Sequence, residues 1–188
     1  MMKKIVNPFR YLPLRQAICW GVVAMILTAV YMWQMGLRAT SLTQFDFGGG
    51  ALWRATVAQL IVWLTFSVVL CLGGMLFSKS KVRFTDVAAY NLFARIPFDI
   101  SLLIFAIPSV KSVMGYIADM NMNAIMQHMT TISLIGLFSS LFAVWYFFWS
   151  YKAFSVATNL KDGKGVVIFF GGFILSYVAS IYILRLVA

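Results

Sequence analysis

Five uninterrupted apolar runs of about twenty residues each decide what this chain can fold into. They occupy 16–37 (QAICWGVVAMILTAVYMWQMGL), 55–77 (ATVAQLIVWLTFSVVLCLGGMLF), 87–108 (VAAYNLFARIPFDISLLIFAIP), 132–150 (ISLIGLFSSLFAVWYFFWS) and 165–184 (GVVIFFGGFILSYVASIYIL). At a rise of about 1.5 Å per residue, each is long enough as a helix to cross a hydrocarbon core of roughly 30 Å. Backbone polar groups in lipid must be satisfied internally, so spanning segments are helices or closed barrels. Continuous apolar runs, rather than alternating strands, exclude the barrel. The expected fold is all-α: a polytopic membrane protein, with 1–188 forming one domain built as a bundle of five transmembrane helices. Charged residues make up only 11% of the chain and hydrophobic residues 62%, whereas about a quarter of a soluble domain is charged. The first run is longer than the apolar stretch of a signal peptide and no small-x-small cleavage site closes it, so it reads as a retained span.

The net charge of +10 would suggest nucleic acid in a soluble protein. In a membrane chain, basic residues instead gather in cytoplasmic connections and attract anionic headgroups. Membrane lipid is therefore an expected partner and nucleic acid is not. Lys3, Lys4, Arg10 and Arg15 precede the first run; Lys79, Lys81 and Arg83 follow the second; Lys152, Lys161 and Lys164 follow the fourth. The opposite side carries Arg38, Arg54, Lys111 and Arg185. This asymmetry predicts a cytoplasmic N-terminus and a C-terminus outside.

The third run contains the candidate site. Arg95, Pro97 and Asp99 fall within five residues of one another inside otherwise apolar sequence. Arg95 lies about 14 Å beyond Asp86 along a helix and Asp99 about 20 Å beyond it, so the two charges straddle mid-span. Each costs roughly 2.5–3.5 kcal/mol at that depth. The eleven Val, Leu, Ile and Phe residues of the run return about 3–7 kcal/mol together. Such a helix inserts only marginally, and its polar face is expected to turn into the bundle. Pro97 removes the amide that would bond the carbonyl of Phe93, so a kink is expected there. Arg95 has donors to serve that carbonyl as well as Asp99. Two readings are open. In one, the pair neutralises itself and ties its span to neighbours through Gln59, Asn91 or a serine. In the other, it lines a polar cavity for an ion, a headgroup or a proton. The local opposite-charge pairing favours the first.

Gly172, Ser176 and Ser180 recur every four positions on the fifth run and mark a flat stripe for helix packing. Aromatics at 145–151 suggest an interfacial belt. The stretch 109–130 reads as a short amphipathic surface helix. It holds Met120, Met122, Met126, Met129 and His128, the chain's only histidine. Thioethers with an imidazole are Cu(I) ligands, but a Met-rich apolar face under headgroups is the ordinary alternative. No cofactor or metal is expected. The segment FDFGGG (45–50) reads as a flexible turn, since no Gly-Lys-Ser/Thr follows it. With no glutamate and one histidine, acid–base partners are scarce, and no enzyme is expected.

The five-span layout resembles the Yip family, the Ypt/Rab-GTPase-interacting membrane proteins. The likeness rests on SKSKVRFTDVAAYNLFARIPFDI and on the last hairpin, WYFFWSYKAFSVATNLKDGKGVVIFFGGFILSYV; NPFRYLPLR is similar to short bacterial members. The resemblance implies a non-enzymatic protein of the bacterial cytoplasmic membrane, a scaffold organising lipid or recruiting partner proteins, as a homo-oligomer or with another membrane protein. Eukaryotic members carry a long cytoplasmic N-terminal region, whereas only residues 1–15 precede the first run here. Small-GTPase binding is therefore not carried over. The alternative is a small oligomeric channel or transporter with a midplane site at Arg95 and Asp99.

Overall fold

Proline and glycine set several of the helix limits in the computed structural model, which describes residues 7–187. Lys3 and Lys4 of the orientation argument lie outside the described residues. Helix α1 (Leu14–Met35) begins after the extended Pro13 and ends at Gly36, whose φ of 69° only glycine adopts without strain. The Gly36 carbonyl then accepts from the amides of Gly48 and Gly49, closing a hairpin of β1 (Leu37–Ala39) and β2 (Phe45–Phe47). The strands pair antiparallel, with Arg38 opposite Asp46. Helix α2 (Leu52–Phe77) follows.

The third span covers Phe84–Ala106 in three pieces: α3 (Phe84–Ala94), α4 (Ile96–Ser101) and a 3-10 turn (Leu102–Ala106). Two short helices, α5 (Pro108–Ala118) and α6 (Met122–Gln127), lead to α7 (Met129–Thr158). Helix α8 (Gly163–Val187) ends the chain. Five helical segments are thus long and apolar enough to cross a membrane. In its most apolar stretch, the third span is 61% buried, against 33% or less for the other four. It is the central post. Helix α3 packs on α1, α2 and α7, α4 packs on α7, and α2 packs most extensively on α8.

Hydrogen bonds sort the connections into two ends. At one, Ser78 Oγ donates to the Thr158 carbonyl (2.6 Å) and Asn159 Nδ2 donates to Ser80 Oγ (3.2 Å). Phe9 is buried near this end, against Tyr90, Phe93 and Trp149. At the other, the Leu42 amide donates to Ser180 Oγ (3.1 Å), and Phe45 and Phe47 pack edge-on against Phe105.

Four expectations are corrected. The helical bundle carries one short hairpin, in which β1 and β2 pair, so Phe45–Phe47 is strand rather than flexible turn. Helix α7 continues from residue 150 to Thr158, so Lys152 is helical. Residues 145–151 consequently lie within the helix rather than at its end, and Tyr146 is fully buried. The stretch 109–130 is two helices, broken where Met120 takes a φ of 52°.

Small residues allow the close helix approaches. A Cβ on Gly74 would meet Thr158 Cγ2 at 2.5 Å, whereas one on Gly136 would meet nothing within 4 Å. Thermal unfolding in detergent should therefore show Gly74→Leu destabilised by about 1–3 kcal/mol, the range for overpacking. Gly136→Ala should be neutral or stabilised by up to about 1 kcal/mol through helix propensity.

Candidate functional site

The break in the third span is gentler than a proline in mid-helix would produce. Arg95 stays right-handed (φ −75°, ψ −19°) between α3 and α4. Pro97 thereby falls in the first turn of α4, where a missing amide costs no intrahelical bond. The Leu92 and Phe93 carbonyls accept from backbone amides at the α3 terminus. The Phe93 carbonyl therefore does not depend on the Arg95 guanidinium, contrary to the sequence expectation. Beyond the break, the Asp99 amide donates to the Arg95 carbonyl at 3.1 Å. The 3-10 turn loosens the ladder further on, where the Tyr31 hydroxyl of α1 donates to the Leu102 carbonyl (3.0 Å).

The structure brings Arg95 and Asp99 together. Arg95 Nε lies 3.5 Å from Asp99 Oδ1, with side-chain exposures of 7% and 9%. Each of these two atoms is buried without a hydrogen-bond partner, so their approach is one of charge. The Arg95 guanidinium carbon sits 5.4 Å from the Phe98 ring centroid, close enough for cation–π attraction. Phe98 in turn packs on the buried Tyr146 of α7, with centroids 5.7 Å apart. Thr28 of α1 lines the same groove as Asp99. The pair thus lies where α1, the third span and α7 meet.

Gln59 and Asn91, the partners expected from sequence, are engaged elsewhere. Gln59 Nε2 donates to Met32 Sδ at 2.8 Å and Asn91 Nδ2 to Ser67 Oγ at 3.1 Å. Each is a buried tie between α2 and another helix. Thr28, Tyr31 and Tyr146 are the site neighbours that sequence reasoning missed. Their signal was weak, since hydroxyls within apolar runs occur throughout this chain. Asp99 also lines a lateral groove of about 200 Å³ between α1 and α4, together with Leu27, Thr28, Tyr31, Ile100 and Leu103.

The packing stripe lies inside the chain. A Cβ on Gly172 would meet Leu70 Cδ2 at 3.0 Å. Ser176 and Ser180 are fully buried, with hydroxyls donating to the carbonyls of Gly172 and Tyr177. Met120, Met122, Met126 and Met129 are exposed, and His128 stacks on Tyr116 at 5.6 Å. Among the described residues, no three His, Cys, Asp or Glu side chains gather as a metal site. Comparisons with protein-family models, curated proteins and solved structures found no match to this chain.

Removing one ion of a buried pair strands the other, at a cost of about 3–5 kcal/mol, whereas replacing both with apolar residues is far milder. Thermal unfolding in detergent should accordingly rank Arg95→Leu well below wild type, with Arg95→Leu/Asp99→Leu restored most of the way. A double variant as unstable as the single one would contradict mutual neutralisation.

Proposed function

We propose that this chain is a non-enzymatic, Yip-like scaffold of the bacterial cytoplasmic membrane, organising lipid or holding partner membrane proteins. The observation carrying this reading is that the buried polar side chains at the heart of the bundle find their partners within the chain. Arg95 and Asp99 neutralise one another at 3.5 Å, Gln59 bonds Met32 and Asn91 bonds Ser67. These groups act as internal fasteners, while apolar side chains such as Leu27, Leu76, Val144 and Leu186 face outward. In this reading the end holding Lys79, Lys81, Arg83, Lys161 and Lys164 is cytoplasmic, with the N-terminus on that side. With Gly172, Ser176 and Ser180 occupied inside the chain, a homo-oligomer or a complex with another membrane protein uses an outward apolar face.

One observation favours a second reading. Asp99 borders the groove between α1 and α4, which is where a small oligomeric channel or transporter would place a midplane ion or proton site. Reconstitution into liposomes separates the two. The scaffold gives ion flux and lipid scrambling no greater than protein-free vesicles, with Asp99→Asn unchanged. Flux abolished by Asp99→Asn would replace the scaffold reading with the channel. In mild detergent, mass measurement should find lipid or protein carried along with the chain, and a bare monomer would count against the scaffold.

A further inference from the structure

Two cavities between α2 and α8 meet end to end. The first is an apolar groove of about 470 Å³ lined by Leu72, Gly73, Leu76, Val167, Gly171 and Leu175. Its floor is helix backbone left uncovered by glycine, and a Cβ on Gly171 would meet nothing within 4 Å. All six residues belong to membrane-spanning segments, so the groove opens to the hydrocarbon. The second is a polar cleft of about 620 Å³ where these helices leave the membrane, lined by Ser78, Lys79, Ser80, Asn159, Asp162 and Lys164. Phe77 lines both cavities. From groove to cleft, the walls change from hydrocarbon to cationic just past the end of α2.

The cleft has a fixed form. Ser78 donates to the Thr158 carbonyl and accepts from the Ser80 amide at 3.0 Å, while Asn159 donates to Ser80. Asn159 itself holds a φ of 58° as the last cap of α7, a conformation asparagine tolerates. These bonds tie the 78–80 connection to the end of α7, with Lys79 between two anchored serines. The cleft's charged lining is Lys79 and Lys164 against one acid, Asp162, and Lys81, Arg83 and Lys161 lie in the adjoining connections.

We infer that groove and cleft form one binding site for an anionic phospholipid, with an acyl chain in the groove and the headgroup phosphate between Lys79 and Lys164. The charge excess selects an anionic headgroup over a zwitterionic one. The continuous apolar groove selects a lipid over a free anion. A site of this kind gives the chain a means of holding a chosen lipid at one end of the α2–α8 pair. The inference rests on the lipid-organising reading above, whose own tests are flux and assembly. Loss of this site with flux still absent would leave that reading in place.

Native mass spectrometry of the full chain in mild detergent, titrated with phosphatidylglycerol, phosphatidylcholine or inorganic phosphate, tests it. Phosphatidylglycerol adducts should form at lower concentration than phosphatidylcholine adducts. Lys79→Gln and Lys164→Gln should each weaken phosphatidylglycerol binding about fivefold, and the pair about 25-fold. Lys79→Arg should keep it. Gly171→Leu places a side chain in the groove from a position whose Cβ meets no neighbour, so it should weaken both lipids while leaving the melting temperature unchanged. Equal binding of the two lipids, or lysine variants that keep phosphatidylglycerol, would overturn the inference. Full affinity in Gly171→Leu would reduce the cleft to a phosphate site with no acyl groove and would overturn it too. So would dimers forming in place of lipid adducts, since a second copy would then be the groove's occupant.

Discussion

An ion in hydrocarbon must find its counter-ion or leave, and in this chain that requirement falls on the third span. Arg95 and Asp99 stand one helical turn apart and meet at 3.5 Å, almost wholly enclosed. Their enclosure needs other helices on several sides: Thr28 from α1 lines the groove beside Asp99, and Tyr146 from α7 backs the Phe98 ring over which the guanidinium lies. A segment that inserts only marginally by itself is thereby held as the most buried span of the five. The proline completes the arrangement. Because Arg95 takes the turn between α3 and α4, Pro97 occupies a first-turn position, and the carbonyls that would have lost partners are served by backbone amides.

Around this post, the remaining polar residues act over short range. Asn91 and Gln59 each close one buried contact, and Trp63 Nε1 donates to the Ala88 carbonyl at 3.0 Å. The two ends are finished differently. One is tied by Ser78, Ser80, Thr158 and Asn159, and carries the cationic cleft. The other is capped by the hairpin, where the Leu42 amide donates to Ser180. Helix α8 is thus held by close contact with α2 at Gly172, by ring contacts of Phe169 and Phe173 with α7, and by a hydrogen bond near its far end. Its opposite side is left to lipid.

Most of the fold was legible because the physics of spanning segments is simple. Twenty apolar residues need a helix, and the five runs coincide with the five spans to within a few residues, except that α7 runs on to Thr158. The extension was hidden because Lys152, Ser155 and Thr158 end the hydropathy run, although none of them breaks a helix. The hairpin was hidden too. Its strands are three residues each, and FDF beside three glycines reads locally as loose chain. Within the site, the pairing of Arg95 with Asp99 follows from their spacing and from the cost of leaving either alone. The partners across the bundle do not follow, because Thr28, Tyr31 and Tyr146 gain meaning only when α1 and α7 are brought beside α4. The small stripe was visible as a packing surface, but its partner, Leu70 of α2, was a tertiary fact.

The central claim is that the two ions meet inside the bundle and away from acyl chains. Solid-state NMR of the protein in lipid bilayers, with arginine and aspartate isotope-labelled, measures this most directly through dipolar coupling between the Arg95 guanidinium and the Asp99 carboxylate. The account predicts a strong coupling consistent with the 3.5 Å approach of Nε and Oδ1, and none from either side chain to lipid acyl protons. Absent coupling between the two, or contact between either one and the acyl chains, would contradict it.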